Sequence, residues 1–253
     1  MNISVCCPSY KRPKVETLDY LPFCKVYVDG KEYNEYKKQN PEGAEIVKCA
    51  DGVQGNLCRV RNYILDQEFK NGADVVVIID DDLKRMGYWR FHEKHTLETQ
   101  DFLAFIEKYS VCAMDLGAYF WGVNVNDDEM AYRIITPFST VSYIGGPFQC
   151  FIRGGACRYD ENLPLKEDYD MTLQQCNKYR KVLRVNHFWY NCKQSVQSGG
   201  CATYRNAEKE LSQIEELKHK WGSKIVKFDK KSNAKNRKVI DYNPIIKIPI
   251  KGI

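Results

Sequence analysis

Val75-Val76-Val77-Ile78-Ile79-Asp80-Asp81-Asp82 is the stretch that decides the fold. Five consecutive β-branched residues suit a strand covered on both faces, as in a parallel sheet. The chain then changes within one residue to three carboxylates. Side by side these repel one another, so they sit comfortably only in water or with a cation between them. Oxygen ligands favour Mg or Mn, and such ions usually bridge to a substrate phosphate. In open α/β sheets, ligands bind at the carboxyl ends of strands, where this triplet lies. The plainer alternative for the triplet is a solvated acidic turn.

The residues before the triplet alternate strand and helix. Asn2 to Cys7 reads as a strand ending at Pro8, and Cys24 to Val28 as a second, closed by Asp29-Gly30. Lys31 to Gln39 is polar, a helix or loop stopped by Pro41, and Glu45 to Cys49 is a third short strand. Gly55 to Lys70 carries Leu57, Val60 and Ile64 near helical spacing, with Asn71-Gly72 as the stop. Strand, helix, strand at this spacing predicts an α/β sheet.

Beyond the triplet, Thr99 is positioned to cap a helix whose apolar face is Phe102, Phe105, Ile106 and Tyr109. Ala118 to Val123, Arg133 to Ile144 and Phe148 to Arg153 read as strands. Asp168 to Tyr179 reads as a helix and Val182 to Phe188 as a strand. Asn206 starts the clearest helix: Ala207, Leu211, Ile214, Leu217 and Trp221 share a face, and Gly222 ends it.

Composition sets outer limits. The chain has 253 residues, 43% hydrophobic and 28% charged, the balance of a soluble globular domain rather than a disordered or coiled-coil chain. Its longest purely apolar run, Val75 to Ile79, is far short of the roughly 20 residues of a membrane helix. Met1 to Val5 lacks the layout of a secretory signal. Eleven cysteines cannot all pair, and none form Cys-x-x-Cys, so they read as reduced, buried small hydrophobes. Net charge is +5, which permits a nucleic-acid partner without demanding one. The excess concentrates in Lys218 to Lys238, where nine Lys and Arg stand against Asp229 alone.

Three other groups of residues carry candidate chemistry. Glu167-Asp168-Tyr169-Asp170 precedes a helix, where acids are favoured by the helix dipole, and one of its carboxylates is a candidate general base. His187 closes a strand among Phe188, Trp189 and Tyr190, ahead of the glycine-bearing loop Ser195-Val196-Gln197-Ser198-Gly199-Gly200; it is a structural histidine or a further metal ligand. Arg59 and Arg61 do not share a helix face, so at most one points at the acidic cluster or a bound diphosphate. His92-Glu-Lys-His95 is one residue short of the zinc-protease spacing.

Taken in order, these motifs resemble the GT-A glycosyltransferases. Ile3-Ser4-Val5-Cys6-Cys7-Pro8-Ser9-Tyr10-Lys11-Arg12-Pro13 looks like the opening strand and loop that hold the nucleotide of a sugar donor. Arg61-Asn62, then the apolar strand running into Asp80-Asp81-Asp82, resembles the D-x-D region. Arg158-Tyr159-Asp160-Glu161-Asn162-Leu163 with Glu167-Asp168-Tyr169-Asp170 resembles the acceptor segment with its "ED" motif. The resemblance covers residues 2 to 205 and implies a single α/β domain, 1–222, with a mainly parallel central sheet and a basic extension, 223–253. Within the fold, the Asp triplet, the Glu-Asp-Tyr-Asp segment and a His before a Ser-Gly-Gly loop look most similar to the TET-associated glycosyltransferases, encoded largely by phages.

That resemblance implies transfer of a sugar from a nucleotide sugar, a UDP-sugar first of all, to a hydroxymethylated pyrimidine in DNA, typically 5-hydroxymethylcytosine. It implies a divalent cation, Mn or Mg, on Asp82 and His187. Pro8, Ser9 and Arg12 line the nucleotide pocket, Arg61 lies near the diphosphate, and Asp80 and Asp81 contact the donor. Asp168 is the general base of an inverting displacement, with Glu167 the alternative. Lysines 218 to 238 meet DNA phosphates, no membrane is involved, and the setting is the cytoplasm of an infected cell. The competing readings are a GT-A enzyme acting on a surface glycan, and a nucleic-acid-binding module with degenerate motifs.

Overall fold

The computed structural model describes residues 1–192, 198–229 and 242–250. One mixed sheet forms the centre. Its strands are β1 (Ile3–Pro8), β2 (Lys25–Val28), β3 (Ile46–Lys48), β4 (Val75–Ile79), β5 (Leu83–Arg90), β6 (Glu93–Thr96), β7 (Phe120–Asn124), β8 (Phe138–Ser139), β9 (Phe148–Ile152) and β10 (Leu183–Cys192). They lie in the order β3-β2-β1-β4-β9-β7-β10-β5-β6, with β8 on β10. The β3-β2-β1-β4 half is parallel throughout, and β7 runs parallel to β10. β9 is antiparallel to both neighbours, so it reverses the direction between two parallel groups.

The β4 run is covered on both faces, as its composition predicts. Every one of its side chains is fully buried. Val75, Val77 and Ile79 join a cluster with Phe102, Phe105, Ile106 and Tyr109 of α4 (Phe102–Asp115). Val76 and Ile78 point the other way, onto Val60, Ile64 and Leu65 of α3 (Leu57–Lys70) and Met171 and Cys176 of α5 (Glu167–Tyr179). The period of two divides one strand between two cores. Each fully buried Val or Ile contributes about 1.5–3 kcal/mol, so the run anchors the whole sheet.

α3 begins where Asn56 Oδ1 accepts from Arg59 N at 3.2 Å and ends at Asn71. α6 (Ala207–Trp221) is capped the same way, Asn206 Oδ1 accepting from Lys209 N at 2.8 Å. The described part of the C-terminal segment packs on α6: β11 (Val226–Phe228) pairs with β12 (Pro244–Ile246), and Val226 joins Leu163, Leu173 and Leu217. Lys230 to Lys238 lie outside the described residues.

Two local expectations change, and one hairpin is new. Thr99 does not cap α4; its hydroxyl donates to Tyr20 O at 2.7 Å, and a short 3-10 turn over Thr99–Asp101 leads into the helix. Of residues 133–144 only Phe138–Ser139 is strand, because Pro137 lacks a donor and Ile134 and Ile135 are exposed. The β5–β6 hairpin has no turn signature in the sequence: its tip, Phe91 and His92, takes positive φ without a glycine.

Candidate active site

The carboxyl ends of β1, β4 and β10 open into one cleft of about 370 Å³. Its remaining walls are the N-terminal turns of α3 and α5, the loop before β9 and residues 199–205. The cleft gathers Pro8, Ser9, Arg12, Arg61, Asp80, Asp81, Asp82, Glu167 and Asp168, residues up to 160 positions apart in sequence.

On one side lies the acid cluster with its cations. Ser9 Oγ donates to Asp81 Oδ2 at 2.6 Å, and the Arg12 guanidinium pairs with the other Asp81 oxygen. Arg12 Nη1 stands 4.0 Å from Asp82 Oδ2. Thr17 Oγ1 donates to Asp80 O at 2.6 Å and accepts from Leu83 N at 3.0 Å, fixing the backbone on either side of the triplet. Burial pushes the Asp81 carboxyl up to about 6 against Arg12 and Ser9. Burial and the charges of Asp80 and Asp81 push Asp82 up to about 7. Arg12 thus answers Asp81 closely and Asp82 at a distance, and the triplet as a whole remains short of positive charge.

Residues 198–200 close over this side. Arg12 Nε donates to Ser198 O at 3.2 Å, and Gly200 N to Tyr10 O at 2.8 Å. Gly199 has φ of 89°, and a Cβ on it would lie 2.6 Å from Lys11 O, so no side chain fits here. The glycine loop is therefore built to meet the β1 loop. Ser195 to Gln197 fall outside the described residues.

Facing the acids is the start of α5, whose three carboxylates separate. Asp170 turns away to Trp221 Nε1 at 2.7 Å and to Lys220. Glu167 Oε1 accepts from Arg61 Nη1 at 3.0 Å. Asp168 is half-buried and lines the cleft. Its Oδ2 accepts from the Tyr143 hydroxyl and from Gly146 N at 3.1 Å, and its Oδ1 from Tyr169 N at 2.8 Å. Burial and Asp168 push Glu167 up to about 8 against the pull of Arg61. Burial also raises Asp168, opposed first by the Tyr143 hydrogen bond.

Arg61 ties the two sides together. It is 1% exposed and donates through Nη2 to Asp80 Oδ1 at 2.9 Å and Gly146 O at 3.0 Å, as well as to Glu167. Arg59 lies outside on Glu161 and Gly52. Helical spacing lets at most one of the two point at the acidic cluster, and Arg61 is the one that does. Both terminal nitrogens of its guanidinium are held by protein acceptors, which makes it a strut between the acid strand and the Glu-Asp helix.

His187 is a correction. It does not line the cleft; its Nε2 lies 3.2 Å from the Tyr109 hydroxyl, and its ring packs among Tyr109, Tyr132, Phe138 and Phe188. Burial lowers its basicity there. Tyr190 and Cys192 are the β10 side chains that reach the cleft. Cys192 stands beside Asp82, its thiol pushed up by burial and the three Asp charges.

Sequence reasoning missed Tyr143, Lys166, Cys192 and Arg205. Lys166 and Arg205 both pair with Glu210, fully buried on α6. No local pattern announces a pairing made 44 residues away. Gly145 is packed as tightly as any wall residue: a Cβ there would meet the Tyr190 hydroxyl and lie 2.6 Å from Val125 Cγ1. Gly145→Ala is expected to cost about 1–3 kcal/mol, read as an earlier urea midpoint. A midpoint unchanged from wild type would show that the wall yields.

The residues present fit a divalent cation. Asp82 offers hard oxygen ligands at the cleft edge, in a cluster short of positive charge. Among the described residues no group of three His, Cys, Asp or Glu converges as a closed cage. One or two carboxylates plus substrate phosphates is the usual setting of Mg²⁺.

An α/β sheet of this order, with an acidic strand end facing a Glu-Asp helix start across one cleft, is that of a GT-A glycosyltransferase. The chain belongs to the TET-associated glycosyltransferase family, whose profile matches residues 23–200. Among solved structures it is similar to S. aureus TarS 1-349 in complex with UDP-GlcNAc, at 12% identity and a TM-score of 0.52, over 86% of this chain and 67% of that one. A second is glucosyl-3-phosphoglycerate synthase from Mycobacterium tuberculosis in complex with Mn²⁺, UDP-glucose and phosphoglyceric acid, at 11% identity and a TM-score of 0.49, over 90% and 83%. The chain spans about two thirds of the TarS chains it matches. No curated protein matches it. Among the described residues no helix is long and apolar enough to cross a membrane.

Proposed function

We propose that this chain transfers a sugar from a nucleotide-sugar donor, a UDP-sugar, to 5-hydroxymethylcytosine in DNA. The observation that carries the reading is the single cleft in which the acid triplet faces a cradled Asp168, in a member of the TET-associated family. Pro8, Ser9 and Arg12 form the donor side with Asp80 and Asp81. Asp82 is the residue that would hold a divalent cation, Mn²⁺ or Mg²⁺, whose chemistry is to neutralise charge on the departing diphosphate. Asp168 takes the proton of the acceptor hydroxymethyl group. The freed oxygen bonds to the anomeric carbon as the carbon–phosphate-oxygen bond breaks, its electron pair leaving with the nucleoside diphosphate. A single displacement of this kind inverts the anomeric centre.

A base in a duplex must leave the stack to reach such a cleft. Of the basic segment, Lys218 pairs with Glu215 and Lys220 with Asp160 and Asp170, while Lys224 and Lys227 are exposed and face solvent as phosphate contacts. Binding to DNA is then salt-dependent. All eleven cysteines are free, which suits the reducing cytoplasm of an infected cell.

The test offers purified protein, with Mn²⁺ and a panel of nucleotide sugars, duplex DNA carrying cytosine or 5-hydroxymethylcytosine. Digested nucleosides are then weighed. The expected result is a hexose-sized gain on the modified base alone. A gain on oligosaccharide and none on DNA would move the acceptor to a glycan. Mn²⁺ at 100 times its dissociation constant is expected to add about 2.7 kcal/mol of stability, seen as a rise in Tm. In Asp82→Ala that rise and the transfer are expected to vanish together; an undiminished rise would place the cation elsewhere.

A further inference from the structure

We propose that Tyr143 is a positioning residue of the transfer site, holding Asp168 by one oxygen so that the other, Oδ1, receives the acceptor's proton. The proposal rests on the reading of Asp168 as the base. It comes from a count of lone pairs. A carboxylate oxygen accepts about two hydrogen bonds. Asp168 Oδ2 takes both of its own from the protein, one from the Tyr143 hydroxyl and one from Gly146 N at 3.1 Å. Oδ1 takes one, from Tyr169 N at 2.8 Å, and keeps one acceptor place, on a residue that lines the cleft.

The phenol is itself held. The rings of Tyr143 and Tyr169 stack with centroids 4.3 Å apart and planes 17° from parallel. Tyr169 donates to Asn243 Oδ1 at 3.4 Å, one residue before β12. Arg184 of β10 donates to Tyr143 O at 3.3 Å. The start of α5, β10 and, through the stacked Tyr169 ring, the C-terminal segment therefore all bear on the placement of Tyr143. Sequence gave no hint of it, because Tyr143 falls in a stretch with strand-like composition.

The consequence is a pH signature. Asp168 faces Tyr143 from its loop, Lys166, Glu167 and Tyr169 from α5 and its approach, Arg61 from α3 and Tyr190 from β10. Burial favours its protonated form, and the phenol's hydrogen bond favours the ionised one. Tyr143→Phe keeps the stacked ring and removes only that bond, so the carboxyl holds its proton to higher pH. A base must be ionised to act. The acid limb of the kcat/KM profile is therefore expected to move to higher pH. With UDP-glucose and 5-hydroxymethylcytosine DNA, the loss is expected to be about tenfold at the acid end, shrinking as pH rises. A loss equal at every pH would assign Tyr143 to packing and overturn the proposal.

The same bond is readable without turnover. Tyr143 stabilises ionised Asp168, so the Tm gap between wild type and Tyr143→Phe should be small at about pH 4, near the unfolded carboxyl's own pKa, and widen towards pH 8. A gap that is constant across this range would overturn the proposal whatever the acceptor. Asp168→Asn separates the two claims. If it retains full activity, Asp168 is not the base and the proposal falls with that reading. If it is inactive while the Tyr143→Phe profile and Tm gap show no pH dependence, the positioning role alone is lost.

Discussion

Arg61→Met is expected to lower the unfolding free energy by about 3–5 kcal/mol, the usual cost of removing one partner from a buried ion pair. Guanidine titration of the purified variant reads it directly. Arg61 is 1% exposed, and its guanidinium serves Asp80 at 2.9 Å, Glu167 at 3.0 Å and the Gly146 carbonyl at 3.0 Å while lying 5.5 Å from the centre of the Tyr159 ring. Methionine fills most of the volume but satisfies none of the three acceptors. Glu167 is the costly one, since its side chain is 9% exposed and little water can replace the arginine. Its carboxyl is already pushed up to about 8 with Arg61 present, and loss of the cation pushes it further. The deficit is therefore expected to deepen as pH rises through about 8 and to be smaller below it, where Glu167 is protonated in both proteins. Arg61→Lys should recover less than half, because a single ammonium cannot span carboxylates on two elements as a planar fork does. A loss below 1 kcal/mol at neutral pH would show that the strut is dispensable.

The same arginine marks where sequence stops being informative. That at most one of Arg59 and Arg61 can face the acidic cluster follows from helical periodicity; that Arg61 is the one is seen only in the fold. What the inward arginine bonds does not follow, because Asp80, Gly146 and Glu167 come together only when β4, β9 and α5 close around it. The β-branched run of β4 was legible because its composition encodes burial on both faces. The acid triplet and the Glu-Asp pair were legible because carboxylates at element ends have few stable settings. His187 was not, since a strand's period of two is broken in β10 by a register shift between Val185 and Trp189. Counting along the chain could not decide which face the imidazole takes. Cys192, which does reach the acid cluster, has no sequence mark separating it from the ten other cysteines.

Asp168→Asn is expected to lower kcat for sugar transfer by about 10²–10⁴-fold, the contribution of a positioned general base, while nucleotide-sugar binding measured by calorimetry stays within a few-fold of wild type. Asparagine is nearly isosteric and can still accept from Tyr143 and Gly146, so the cradle survives and only the proton acceptor is lost. Glu167→Gln is expected to cost far less at the chemical step. Its carboxyl is turned onto Arg61, and with a pKa near 8 it carries its proton through much of the working range. Two neighbouring acids on one helix turn are thus separated by their surroundings: one sits against a buried cation beside a second acid, the other takes three donors and opens to the cleft. If Asp168→Asn stays within tenfold of wild type and Glu167→Gln is inactive, the roles are reversed. The proton would then go to Glu167 Oε2, the oxygen Arg61 does not hold, with Arg61 fixing the carboxyl through Oε1.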